Sequence, residues 1–349
     1  MRVVVVGATG NVGTSVVRSL AADSAVDEIL AIARRAPQRP LERARFVAAD
    51  IRTSDLAPLF RGADAVIHLA WLIQPGRDES VTRAVNVDGS RRVFEAVASS
   101  GAPSLVYASS VGAYSPGPKD RLVDESWPTG GIPTSFYSRH KAQVEHDLDR
   151  FEQEHPDVRV VRLRPGLIFK REAATEIRRL FIGPLLPGAI LRSGLAPISP
   201  AVPGLRFQAV HSDDVGDAYR AAVLSGRSGA FNIAAEPVIG ATELAEMLDA
   251  RPVPVAPRIM RAAAAVTFAL HLQPAEPGWV DMALGVPLMS TDRARRELGW
   301  RPRTSATGAI RELVAGLREG AGGDTWPLAR STSGRLRIRE FLTGLGQRQ

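Results

Sequence analysis

The first thirteen residues constrain this chain more than any other stretch. The β-branched run Arg2-Val3-Val4-Val5-Val6 leads straight into Gly7-Ala8-Thr9-Gly10-Asn11-Val12-Gly13. A strand that enters a turn with glycines three apart, and leaves it as a helix, is the opening of a βαβ unit that binds a dinucleotide. Glycine at these places permits the tight turn, close approach of backbone N–H groups to a pyrophosphate, and close packing of helix on strand. The positive end of the helix then faces the phosphates. Gly7, Thr9, Gly10, Asn11, Val12 and Gly13 are therefore the first set of expected cofactor-binding residues.

The rest of the chain fits that opening. Short β-branched runs at Arg2–Val6, Glu28–Ala33, Ala44–Ala48, Ala65–Ala70, Ser104–Ser109 and Arg159–Arg164 alternate with helical stretches, which predicts an α/β doubly wound parallel sheet covered by helices on both faces. One helix is expected from about Arg77 to Ser99, with Val81, Val85, Val93 and Val97 on one face and Gly101 with Pro103 as its stop. Another should begin near Ser135 and end before Pro156. After Pro165 proline and glycine become dense, and the segment from Ala241 to about Gly320 reads as mainly helical. The expected division is a dinucleotide-binding unit over residues 1–165, with 205–235 returning to the sheet through strand-like Arg206–His211 and Phe231–Ala234. A smaller, mainly helical substrate-binding part takes 166–204 and 236–320. Gly320-Ala321-Gly322-Gly323 reads as a hinge before a basic tail, 321–349.

The choice of dinucleotide should be written at the end of the second strand. An acid there, about twenty residues past the turn, holds a ribose 2′-hydroxyl. This chain has Arg34 and Arg35 instead, which suits a 2′-phosphate and favours NADP over NAD, unless both arginines are merely solvated at a strand end. Asp50, ending the third strand, is an expected acceptor for the adenine amino group.

Tyr137-Ser138-Arg139-His140-Lys141 supplies the chemistry. A spacing of four on a helix puts phenol and ammonium on one face, one turn apart. A free tyrosine, with a pKa of about 10, is a poor base near neutrality. A neighbouring Lys141 cation is expected to lower that value toward a range useful for proton transfer. Ser109-Ser110 closes the fifth strand at its carboxyl end, the edge where open parallel sheets bind ligands. A hydroxyl there holds the substrate oxygen, or else simply caps the loop.

Together these features resemble the extended short-chain dehydrogenase/reductase superfamily, the NAD-dependent epimerase/dehydratase family, over roughly residues 1 to 310. The resemblance includes the glycine turn, Asp50-Ile51, His68-Leu69-Ala70, Asn86-Val87-Asp88-Gly89-Ser90 and Ser110 four before Tyr114. It continues through the Tyr137/Lys141 motif, Arg164-Pro165-Gly166, His211-Ser212-Asp213-Asp214-Val215 and Leu298-Gly299-Trp300-Arg301-Pro302. It implies a Rossmann fold and a catalytic set of Ser110, Tyr137 and Lys141, with Lys141 also holding the nicotinamide ribose. It extends the cofactor-binding set to Ile51, Leu69, Ala70, Trp71, Asn86, Ala108, Pro165 and Gly166, beside Tyr137 and Lys141 themselves. Asp213 and Asp214 match a structural pair. Family members often dimerise through two helices per subunit, here Arg77–Ser99 and Ser135–His155.

Departures from the family narrow the reaction. Val111 and Gly112 follow Ser110 where nucleotide-sugar dehydratases carry aspartate and glutamate, which disfavours dehydration. The run Pro165-Gly166-Leu167-Ile168 lacks the asparagine with which sugar-nucleotide epimerases contact a diphosphate. It looks more like members acting on hydroxysteroid-like or other non-nucleotide substrates, with Trp71, Leu72 and Ile73 either adding apolar surface at the site or simply packing in the core. Arg178, Arg179 and Arg192 keep an anionic substrate open. The expected activity is hydride transfer between a nicotinamide and a secondary alcohol or ketone of a small-molecule substrate. An epimerase and a non-catalytic NADP-binding redox sensor are the rivals.

Charge and composition exclude other classes. The net charge is +7, but the last twenty residues carry five arginines against Glu340, so most of the excess is a tail property and no nucleic-acid partner is expected. There is no cysteine, hence no disulfide, thiolate site or cysteine nucleophile, which fits a reducing cytosol. The histidines show no ligand spacing for a metal. The most apolar run, Ala262–Leu272, is about half the ~20 residues a spanning helix needs, and no signal peptide is read at the start.

Overall fold

The computed structural model describes residues 1–37, 39–40, 43–73, 78–182, 198–273 and 275–329. Seven parallel strands form one sheet: β1 (Arg2–Val6), β2 (Glu28–Ala33), β3 (Ala44–Ala48), β4 (Ala65–His68), β5 (Ser104–Ala108), β7 (Arg159–Pro165) and β11 (Gly229–Ile233). They lie in the order β3-β2-β1-β4-β5-β7-β11. The direction of winding reverses between β1 and β4, so their carboxyl ends open the crevice in which such sheets bind ligands.

The valines of β1 explain why it is central. Val3 and Val5 enter the core on one face with Val16, Leu20 and Val215, while Val4 and Val6 enter the other with Phe60, Val93 and Val97. A strand covered on both sides needs an unbroken apolar run rather than alternation. The first face is covered by α1 (Asn11–Ala21) and the helix Ser212–Leu224. These two helices are joined by a polar seam: Ser15 Oγ donates to Asp213 at 2.6 Å, Arg18 pairs with the same carboxylate at 3.1 Å, and Ser19 donates to Asp217 at 2.6 Å. The other face is covered by α2 (Ala57–Phe60), α3 (Glu79–Arg83), α4 (Gly89–Ser100) and α5 (Phe136–Glu154).

The expected long helix starts two residues late, at Glu79, because Asp78 caps it, its side chain accepting from the Ser80 N–H at 2.9 Å, and a π turn, Ala84–Asp88, joins α3 to α4. Gly101 ends it in the left-handed conformation (φ 76°). Ser135 caps α5, its side chain accepting from the Ser138 N–H. Strand β4 stops at His68, two residues short of the expected end, because Leu69 and Ala70 turn out along the crevice; the Leu69 N–H still bonds the Val6 carbonyl at 2.8 Å.

Beyond Pro165 the chain leaves the sheet. The Gly166 N–H donates to Ile233 O, and the Leu167 N–H to Gln208 O, each at 2.9 Å. A two-stranded pairing of β8 (Leu167–Phe169) with β10 (Ala209–His211) results, so the expected Arg206–His211 strand is shorter and stands apart from the main sheet. The return is made by β11 alone. Two further parallel pairs join β6 (Leu122–Val123) to β13 (Leu288–Met289) and β9 (Ile198–Ala201) to β12 (Arg251–Pro254). Helices Ala241–Met247, Pro257–Ala269, Gly278–Gly285, Asp292–Glu297 and Ala306–Glu319 complete the second part. Asp214 fastens it to the first: its carboxylate accepts from the Arg303 and Thr304 N–H groups at 2.9 and 3.0 Å, and its carbonyl from Trp300 Nε1 at 2.8 Å. Asp213 and Asp214 are thus structural, as the resemblance implied.

Among the described residues no helix is long and apolar enough to cross a membrane. The first residues of the segment expected as the basic tail are packed: Ala321, Thr325, Leu328 and Ala329 are each at most 4 % exposed. The basic stretch 330–349 lies outside the described residues, as does Arg192.

Candidate active site

At the carboxyl ends of β1 to β4 lies a cavity of ≈ 260 Å³. Gly7, Thr9 and Gly10 of the glycine turn line it, with Arg34, Arg35, Asp50, Ile51, Leu69, Ala70 and Trp71. All ten are expected cofactor-binding residues. Gly7 has a φ of 92°, and a Cβ there would meet the Ala70 amide nitrogen at 2.6 Å; a Cβ at Gly13 would meet the Gly7 carbonyl at 2.2 Å. The turn therefore tolerates no side chain at either place. No side chain caps α1, whose first-turn N–H groups remain for an anion. Shape and donors both fit the phosphates of a dinucleotide, with two guanidinium groups at the rim.

Asp50 is engaged already. Burial opposes its charge, but Arg52, donating at 2.9 Å, outweighs burial and holds the carboxyl below its usual range. Asn11 turns its amide N–H to the Ile168 carbonyl at 3.3 Å, and its buried Oδ1 finds no partner among the described residues. Asn86 does not line the cavity. Its side chain accepts from the Leu72 N–H at 2.7 Å and donates to the Leu72 carbonyl at 3.0 Å, so it shapes the loop that does. Val12, Ala108, Pro165 and Gly166 also stand outside this cavity; Ala108, Tyr137 and Lys141 form a separate cluster at the end of β5.

In that cluster Ser110 Oγ accepts from the Gly112 N–H at 3.0 Å and comes up beside the Tyr137 ring. Gly112 makes the approach possible, since a Cβ there would lie 2.9 Å from Tyr137 Cε1 and 3.3 Å from Ser110 Oγ. The electrostatics differ from the expectation. Burial pushes the phenol up to about 12, and only the Ser110 hydroxyl pulls it back. Lys141 does not lower it, because the ammonium is spent elsewhere. It donates to the Ala108 carbonyl at 2.6 Å and sits 3.4 Å from the Trp71 ring centroid, against 6.0 Å from that of Tyr137. Burial drives the Lys141 pKa well below its ordinary value, with Glu145, one turn further on, opposing.

Glu145 belongs to no motif of the sequence reading, although Tyr137, Lys141 and Glu145 repeat every four residues along α5, a spacing that puts all three on one face. It is fully buried. Ser109 Oγ donates to it at 2.5 Å, Arg164 grips both oxygens at 2.8 and 2.9 Å, and Arg162 adds a bond of 3.0 Å. Burial would raise this carboxyl, but the Arg164 and Arg162 cations hold it at about 2. Arg164 continues to the Tyr114 hydroxyl at 3.0 Å, which donates to Asn232 on β11 at 2.7 Å.

Aromatic and apolar groups surround the phenol. Trp71 stands edge-on at 5.9 Å and Trp279 tilts over the ring at 5.0 Å, while Ile132, Met282 and Val286 pack beside them. His140 turns away from the phenol to Glu79, at 3.1 Å. Among the described residues no group of histidines and carboxylates is placed to hold a metal. Five cavity residues carry no local signal: Glu176, Arg179, Leu180, Trp326 and Pro327 reach it from distant segments. Arg179, one of the three arginines that kept an anionic substrate open, is among them.

The sequence profile of the NAD dependent epimerase/dehydratase family matches residues 3–234. The chain belongs to that family. An uncharacterized protein of Mycobacterium tuberculosis is 26% identical over 326 residues, spanning 90% of this chain and 83% of its own length. The decarboxylating sterol-4-alpha-carboxylate 3-dehydrogenase of Saccharomyces cerevisiae is 33% identical over 107 residues, 31% of this chain and 30% of that one. In fold the chain is similar to the UDP-glucose 4-epimerase of Thermus thermophilus, solved with NAD: TM-score 0.67, 23% identity, 91% of this chain and 99% of that one.

Proposed function

We propose that this chain is an NAD(P)-dependent oxidoreductase acting on a secondary alcohol or its ketone, with a preference for NADP. The observation that carries the reading is the meeting of Ser110 and Tyr137 across Gly112 at the carboxyl edge of β5, with the buried Lys141 one turn along the helix from the phenol. When bound, the dinucleotide supplies hydride chemistry; the chain supplies the proton and the geometry. In reduction Tyr137 gives its phenolic proton to the substrate oxygen, which Ser110 holds. In oxidation the phenolate takes the hydroxyl proton. Lys141, drawn off the Ala108 carbonyl and the Trp71 ring, orients the ribose and steadies the phenolate.

Arg34 and Arg35 at the cavity rim, where the sequence carries no acid at the end of β2, support the NADP preference. The indoles of Trp71 and Trp279 around the phenol support an apolar substituent on the substrate, in keeping with the likeness to a sterol dehydrogenase. Consumption of NADPH and NADH with a panel of apolar ketones tests the reading. Steady ketone-dependent consumption is expected, and Arg34→Ala with Arg35→Ala should weaken NADPH far more than NADH. Interconversion of stereoisomers without net consumption would make it an epimerase; tight dinucleotide binding with neither activity would make it a sensor.

A further inference from the structure

The segment Ala321–Ala329 crosses back from the last helix to the glycine turn. Its ends are anchored in the protein. The Ala321 N–H donates to Gly316 O at 2.8 Å, and Ala321 O accepts from Thr175 Oγ1 at 2.6 Å. Leu328, 2 % exposed, closes a turn in which its N–H bonds Thr325 O at 3.0 Å and its carbonyl takes the Gly323 N–H at 2.8 Å. Thr325 then donates its hydroxyl to the carbonyl of Thr9, inside the glycine turn, at 2.7 Å. Between these buried anchors one large side chain stands outward. Trp326 is 45 % exposed, lines the dinucleotide cavity, and has the Arg35 guanidinium 5.1 Å from its ring centroid.

A guanidinium lying on an indole face keeps its N–H edge free. That edge is what a phosphate takes, in paired hydrogen bonds. A long side chain that is already oriented loses less freedom when the ligand arrives. We propose that Trp326 is a positioning residue for NADP: it holds Arg35 over its ring at the cavity rim so that the guanidinium N–H groups meet the 2′-phosphate. The proposal rests on reading this cavity as the adenosine end of an NADP site, and it gives the C-terminal segment a share in cofactor choice.

Titration calorimetry of the full chain with 2′,5′-ADP and 5′-AMP, which differ by the 2′-phosphate alone, tests it. Trp326→Ala should weaken 2′,5′-ADP about five- to tenfold and 5′-AMP less than about twofold, with Trp326→Phe restoring most of the loss. Trp326→Ala combined with Arg35→Ala should lose no more than Arg35→Ala alone, since the two act through one contact. Should the alanine variant fail to fold, Trp326→Leu, which keeps bulk without a π face, carries the same expectation. Unchanged 2′,5′-ADP binding, equal losses for both nucleotides, or additive losses in the double variant would each overturn the proposal. A wild-type chain that ignores 2′,5′-ADP overturns it together with the NADP preference. Intact 2′,5′-ADP discrimination without ketone-dependent turnover sinks only the proposed activity.

Discussion

Tyr137 keeps its proton through the neutral range because burial outweighs the pull of the Ser110 hydroxyl. In that state it can give a proton to a ketone oxygen but cannot take one from an alcohol. The kcat/KM for ketone reduction should therefore stay flat from about pH 6 to 9, while that for alcohol oxidation climbs by up to about tenfold per pH unit. Steady-state rates in both directions across that range check the asymmetry; a reduction rate that falls below pH 9 would point to another proton donor. Tyr137→Phe should lower turnover at least ~10²-fold while nucleotide affinity, followed by titration, stays level. The chain's spacing of four announced the phenol–ammonium pair, but not where the ammonium points. That depends on the Ala108 carbonyl and the Trp71 ring, which come from two other strand ends and are invisible to a local motif.

At the scale of elements, one buried carboxylate of α5 gathers groups from two neighbouring strands. Glu145 receives Ser109 from just past the end of β5 and both Arg162 and Arg164 from β7. Glu145→Ala would leave two buried guanidinium groups with a lost partner, and breaking such a pair typically costs about 3–5 kcal/mol. Urea unfolding should show that loss, and Glu145→Gln, which keeps hydrogen-bonding atoms, should lose less. Most elements are legible in the sequence, because the unbroken valines of β1 and the four-residue repeats of α4 report burial directly. The cavity's far wall is not. Glu176, Arg179 and Trp326 stand more than a hundred residues from the motifs they face, and only the folded chain brings them together. The Arg206–His211 strand is misplaced for a related reason: alternation marks a strand, but its partner is set by the bend at Pro165-Gly166.

The stability of the whole molecule should depend on acid. His68 lies fully buried in the central sheet, and burial, with Lys141 nearby, lowers its pKa from 6.5 to about 3. Its tautomer is settled by Ser90, whose hydroxyl proton goes to the Asn86 carbonyl at 2.6 Å and so leaves the ring Nε2 to donate, at 2.9 Å. A folded-state pKa below the unfolded value means that stability is complete above 6.5 and drains away as pH falls toward 3. Glu145, lowered from 4.5 to about 2, adds a second loss at more acid pH. Denaturant midpoints between about pH 7 and 4 should fall steadily in the wild-type chain, and less steeply in His68→Asn.

The carboxylate beneath Tyr137 has a bearing on how this protein would fail. It never meets the reacting oxygen, yet it ties the helix that carries the phenol to the strand that carries the serine, two turns below the reaction. A slip of β7 against β5 would tilt that helix first and spread the hydroxyl from the phenol while the core stayed packed. Heat or mild denaturant should accordingly silence the chemistry before the molecule comes apart.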